Sequence, residues 1–218
     1  MKNLPKILEL LKNNYKSKKT ELTYKTPFEM LVATILSAQC TDARVNMVTP
    51  GLFKKFRNVK DFADADAEEL QQAIRSTGFF RNKAKNIQGA ANGVIKNFNG
   101  EVPRTMEELI TLPGVARKTA NVVLYNAYGK VEGVTVDTHV GRLSRRLGLS
   151  KEKNAEKVER DLMELIPKKD WGIFPYQIID HGRKVCKSVK PDCKNCFLNK
   201  VCPSAGDFDK KGKWIGVK

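Results

Sequence analysis

LPGVARKTANVVL, residues 112–124, runs a Pro-Gly pair straight into a strongly helical stretch. Arg117 and Lys118 fall in the first turns of that stretch. The start of a helix carries partial positive charge, so carboxylates are the usual choice there and ammonium groups are disfavoured. Leu109, Leu112 and Val115 bracket Pro113-Gly114, which predicts two short helices meeting through a tight hairpin. Gly114 supplies a backbone conformation closed to most residues. It also leaves the amides of the next helix facing outward, an arrangement that receives phosphate. A helical hairpin of this kind grips a phosphate backbone without reading sequence, whereas Pro-Gly alone is equally an ordinary corner.

Lys118 lies three residues after Val115 and four before Val122, at the border of its helix's apolar arc. That spacing puts it on a partly dry surface. The positive helix end and adjacent Arg117 both make this an unfavourable place for an ammonium group. A lysine that has lost its proton is a nucleophile able to form a Schiff base; one that simply binds phosphate is the plainer alternative.

The wider composition suits such a partner. Lys and Arg number 40 against 24 Asp and Glu, a formal charge of +16. Each phosphate neutralised by a cation releases counterions, so the excess predicts a polyanion. Hydrophobic residues make up 41% and charged residues 29%, as in a soluble globular protein. The length of 218 residues suffices for one large domain or two small ones. MKNLPKILELLKNNYKSKK is not a secretory signal, because charged and polar residues interrupt Leu4, Ile7, Leu8 and Leu11, which share one helix face. No apolar run approaches the roughly 20 residues that span a bilayer. The expected location is the cytoplasm, where disulfides are rare.

The pattern is helical almost throughout. Thr26-Pro27-Phe28-Glu29 combines an N-cap, a proline at N1 and a glutamate at N3. The adjoining MLVATIL is apolar on every side and predicts a buried central helix. Asp42 is the expected cap of a helix carrying Val45, Val48, Leu52 and Phe56. Asp66 to Glu69 starts another, with Gly78 as its stop. A longer helix carries Ala84, Ile87, Ala91, Val94 and Phe98 and ends at Asn99-Gly100. Thr105 to Glu108 starts the short helix leading into the hairpin. Beyond Gly129 come an extended VEGVTV, a helix start at Asp137-Thr138-His139, and helices around 158–166 and 176–184. The class is all-α.

Cys186, Cys193, Cys196 and Cys202 form C-x6-C-x2-C-x5-C, while Cys40 stands apart and reads as a small buried residue. Four thiols in so short a loop suit metal ligation over disulfides. The count satisfies either a cubane iron–sulfur cluster or tetrahedral zinc. Lys187, Lys190, Lys194 and Lys200 interleave with them and are able to face phosphates.

LPGVARKTANVVL followed by VTVDTHVGR resembles the endonuclease III family of helix–hairpin–helix DNA glycosylases. The likeness extends over roughly Leu4 to Pro203. It implies that Lys118 is the nucleophile and that Asp137 is the catalytic carboxylate, which stabilises the positive charge developing on the sugar. Asp137 is also a natural N-cap, and the two roles are compatible. LSAQCTD, residues 36–42, is similar to the family segment whose glutamine enters the hole left by a flipped nucleotide, here Gln39. GFFRNKAKNI, residues 78–87, is similar to the loop that wedges the strands apart, with either Phe79 or Phe80 as the wedge. Gly114, Ala116, Arg117 and His139 complete the implied DNA contacts. Ala116 stands where the family usually has glycine, Phe79 where it often has an aliphatic residue, and Phe80 where it has tyrosine. The family spacing makes the four cysteines a [4Fe–4S] loop.

The resemblance implies an all-α, two-lobed fold with the active cleft between the lobes. One domain, 20–130, is a helical barrel ending in the hairpin; 1–19 plus 131–218 make the other, with the cluster. A lysine at 118 implies a bifunctional enzyme, a DNA glycosylase and AP lyase that excises oxidised pyrimidines and nicks 3′ to the abasic site. Its expected partner is double-stranded DNA with damaged bases or abasic sites, bound by a monomer in the nucleoid. Two rivals remain: a glycosylase for mismatches or another lesion, and a non-catalytic DNA-binding module whose cluster reports redox state. The tail after Pro203 aligns with nothing; its Lys210, Lys211 and Lys213 are open to DNA contact or to disorder.

Overall fold

Leu4, Ile7, Leu8 and Leu11 are all buried along one face of α1 (Leu4–Asn14) in the computed structural model, which describes residues 3–216. After an irregular stretch, Thr26 caps α2 (Pro27–Leu36), its hydroxyl accepting from the Glu29 amide at 3.1 Å. Glu29 turns its carboxylate back to the Lys25 amide, so the first turn is satisfied from both directions. Met30 to Leu36 is buried without interruption, as an apolar run on every side requires.

Thr41, not Asp42, caps α3 (Asp42–Lys55), accepting from the Arg44 amide; Asp42 is the first helical residue and lies where acidic groups favour the dipole. Next is a short helix that the sequence pattern does not reveal, α4 (Val59–Ala63), capped by Asn58. Asp66 caps α5 (Ala67–Ile74), which tightens into a 3-10 turn at Arg75–Thr77 before Gly78. Then come α6 (Phe80–Phe98), α7 (Met106–Leu109, capped by Thr105) and α8 (Arg117–Tyr128). VEGVTV crosses over without pairing as a strand. The later helices are α9 (Thr138–Arg146), α10 (Ala155–Leu165) and α11 (Phe174–Lys184), with Pro175 in the first turn of the last.

These elements divide into two compact units. Residues 20–132 build one around α2, which packs on α8, α6 and α3. At one end of its core, Phe62 touches the rings of Phe28, Phe53 and Phe56, with centroids 5.4, 6.4 and 5.1 Å away. Residues up to 19 and from 133 onward form the other unit, in which α11 packs on α9 and α1.

The tail takes a definite course. Val189 pairs with Lys213 and Phe208 with Trp214 in isolated antiparallel bridges, and Asp209 accepts from the Lys211 and Lys213 amides. The Arg146 guanidinium lies 5.1 Å from the Phe208 ring centre. Among the described residues no helix is long and apolar enough to cross a membrane.

Phe62 is 1% exposed, so Phe62→Ala leaves a cavity among three rings. Urea unfolding followed by circular dichroism is expected to show a loss of about 3–5 kcal/mol.

Candidate functional site

The hairpin rests on α6. A Cβ on Gly89 would lie 3.0 Å from Pro113 Cγ, and one on Gly93 would lie 2.8 Å from Leu112 Cδ2. Two glycines one turn apart therefore open the groove into which the hairpin descends. Gly114 is constrained twice over: its φ is +77°, and a Cβ there would come within 2.7 Å of the Asn86 side chain. The Val115 amide closes the turn on the Leu112 carbonyl at 3.1 Å. Ala116 then stands at the N-cap of α8 with φ −90°, ψ 170° and no capping side chain, its methyl exposed.

Ala120 to Leu124 carry the apolar arc of α8 inward. Arg117 is half-buried and Lys118 exposed. The helical spacing predicts a partly dry surface for Lys118; the structure instead leaves it in solvent, because the buried arc begins at Ala120 beyond the first turn.

Two further loops of the same unit hold non-glycine residues in the left-handed region. Gln39 has φ 53° and Phe79 has φ 49°, and both side chains are exposed. Such conformations are uncommon outside glycine and asparagine and mark a local constraint. Phe79 is 62% exposed, unusual for so large an apolar group, whereas Phe80 packs against the core with Arg81 over its ring. Cys40 is half-buried and not fully enclosed, since it sits in the turn after α2 and only its inner side meets the core.

In the other unit, Asp137 is the N-cap of α9, its Oδ1 accepting from the Val140 amide at 2.7 Å. His139 is half-buried beside it, with Nδ1 3.2 Å from an Arg142 guanidinium nitrogen. Burial holds the His139 imidazole below the usual histidine range; Asp137 opposes this, and Arg142 and Arg183 add to it.

Cys186, Cys193, Cys196 and Cys202 line one cavity with Leu143, Leu147, Val185 and Phe208. All four are free thiols. Arg146 donates to Cys186 Sγ at 3.3 Å, the Leu198 amide donates to Cys196 Sγ at 3.4 Å, and His181 Nε2 lies 3.5 Å from the same sulfur. Burial pushes the Cys202 thiol up to about 11 and raises that of Cys196. The His181 imidazole is pushed down to about 4 by burial, and its Nδ1 meets the Tyr15 hydroxyl at 3.0 Å.

Sequence reasoning misses Lys83, Asn86, Gly89 and Gly93, which all lie on α6. A signal for the glycines is present: two of them four residues apart in a helix cost stability without a packing reason. Lys83 and Asn86 carry none, since each is an ordinary helical residue until its neighbours are known.

Residues 32–168 match the HhH-GPD superfamily of base excision DNA repair proteins. Endonuclease III of Synechocystis sp. is 58% identical over 199 residues, 91% of each chain. The Bacillus subtilis endonuclease III is 45% identical over 213 residues, 97% of each. The chain belongs to the endonuclease III family. As an endonuclease III family member it is a DNA glycosylase with AP lyase activity in base excision repair. A solved structure of a trapped endonuclease III–DNA covalent intermediate is 46% identical, with a TM-score of 0.88 covering 92% of this chain and 94% of that one. A thermostable thymine-DNA glycosylase, 23% identical with a TM-score of 0.80, covers 92% and 95% and shares the fold alone.

Within this family member Gly114→Ala is expected to lower stability by about 1–2 kcal/mol from the left-handed backbone alone. A fall of several degrees in the melting temperature checks it.

Proposed function

We propose that this chain excises oxidised pyrimidines from duplex DNA and cuts the strand 3′ to the resulting abasic site, with Lys118 as nucleophile. The observation that carries this reading is a lysine in the first turn of the helix after a glycine hairpin, in a chain 46% identical to a protein trapped covalently on DNA. The Lys118 amine attacks C1′ of the deoxyribose, and the N-glycosidic bond breaks with its electron pair leaving on the base. Loss of a proton from nitrogen and ring opening give the imine. Removal of a C2′ proton then expels the 3′ phosphate by β-elimination. Asp137 stabilises the positive charge that grows on the sugar and takes up the proton the amine sheds. Its bond to the Val140 amide fixes the carboxylate for that task.

The hairpin amides of α8 and Arg117 hold phosphate, with Gly114 and Ala116 leaving room for close approach. Gln39 fills the space vacated by the damaged nucleotide, and Phe79, exposed where Phe80 is packed, is the wedge. His139, two residues beyond the Asp137 cap on α9, adds a further contact to DNA. The protein acts as a monomer in the cytoplasm, on the nucleoid.

Cys186, Cys193, Cys196 and Cys202 would hold a [4Fe–4S] cluster. Four cysteines lining one cavity, with Arg146 and the Leu198 amide at two of the sulfurs, supply the four thiolates such a centre requires. The bound cluster would supply cross-linking of the loop, and Arg146 and the Leu198 amide would hydrogen-bond its thiolate sulfurs.

Borohydride treatment with an abasic duplex is expected to give a covalent adduct, and strand cutting by Lys118→Ala should fall by about 10³-fold or more with no adduct formed. Release of thymine glycol and dihydrouracil from lesion duplexes tests the substrate class, and inertness toward both removes it. Metal analysis should find roughly four irons per chain, lost in Cys196→Ser together with the visible absorbance.

A further inference from the structure

Among the described residues Lys83 is the only buried lysine, 4% exposed on the first turns of α6. Its Nζ donates to the Leu36 carbonyl at 2.7 Å and to the Thr77 carbonyl at 2.8 Å. Each acceptor ends a helical segment: Leu36 is the last residue of α2, and Thr77 the last of the 3-10 turn. Carbonyls at a helix end lack an intrahelical donor and carry the negative end of the dipole, so a cation is the natural partner. One ammonium therefore ties two such ends together.

Both ends lead into a left-handed turn. Three residues beyond Leu36 comes Gln39 at φ 53°, and two beyond Thr77 comes Phe79 at φ 49°. Thr77 is itself buried, its hydroxyl donating to the Ile74 carbonyl at 2.8 Å, and Ser37 bonds back to the Thr34 carbonyl at 2.8 Å. The bases of both loops are thus fixed while their tips are exposed. Taking an ammonium out of water is costly, and burial pushes Lys83 below the ordinary lysine range, with nearby Cys40 opposing the shift. A methionine would fill the volume without that cost but would leave both carbonyls unbonded.

We propose that Lys83 is a positioning residue that locks the Gln39 and Phe79 loops into one body. The two side chains then enter the duplex in fixed register as the damaged nucleotide leaves the stack. This rests on the reading that Gln39 and Phe79 enter the DNA. A loop displaced by about 1 Å loses much of its effect on a reaction that depends on orientation.

The test compares two substrates with native protein, Lys83→Met and Lys83→Gln. Base release from a thymine glycol duplex requires extrusion, whereas cleavage at an abasic site in a single strand requires none. In Lys83→Met the first is expected to fall by about 10²-fold and the second by less than about threefold, at unchanged melting behaviour. Lys83→Gln, which keeps an amide donor, should lie between Met and native on the duplex. Unchanged duplex activity in a folded variant overturns the proposal, as does an equal fall on both substrates. Failure of both variants to fold also overturns it, because Lys83 would then serve the core and not the loops. Native protein inert toward both substrates defeats the glycosylase reading itself.

Discussion

The descent of Leu112 and Pro113 onto the bare backbone at Gly93 and Gly89 is the contact on which the setting of Lys118 depends. Any side chain at either glycine would meet the hairpin inside van der Waals limits, so the hairpin would have to shift on α6. Because Asn86 closes against Gly114 from the same helix, α6 dictates both the height and the turn of the hairpin. That in turn sets where α8 begins, and with it the positions of Arg117 and Lys118. The placement of Lys118 is thereby governed by two glycines and an asparagine on a different helix.

The same helix organises the other exposed groups of that unit. Its first residue adjoins Phe79, its fourth is Lys83, and its length carries the hairpin's seat. Strain is tolerated at Gln39 and Phe79 because the segments below them are over-determined by buried bonds. The unit is therefore stiff beneath and irregular above, with one helix joining the two levels.

Much of this is legible in the chain itself. The caps at Thr26, Asp66, Thr105 and Asp137 can be read because capping is a local matter of one side chain and an amide three residues on. The buried α2 shows itself as an apolar run too long for one face. Where two adjacent residues both qualify, as with Thr41 and Asp42, only the backbone angles decide, and those depend on the preceding turn. Phe79 and Phe80 are indistinguishable in sequence, since a single residue's shift in helix phase turns one outward and the other to the core. Periodicity misplaces Lys118 for a related reason: spacing gives the direction of an arc but not the residue at which burial begins. The cysteine spacing points to a shared centre, while Arg146, His181 and Tyr15 around it come from elements too distant in sequence to be foreseen.

The two units differ in how they draw on the chain. Residues 20–132 are contiguous, whereas the other unit joins α1 to α11 and to the cysteine loop, with Asn3 bonded to the Val201 carbonyl. The contiguous unit has all its partners soon after it leaves the ribosome and is able to form during synthesis. Its counterpart must wait until residues past 200 have been made and must then close a loop of well over a hundred residues. Until that closure the four thiols of the loop lack their packed surroundings, so the lag between translation and closure is the interval in which they are most open to oxidation.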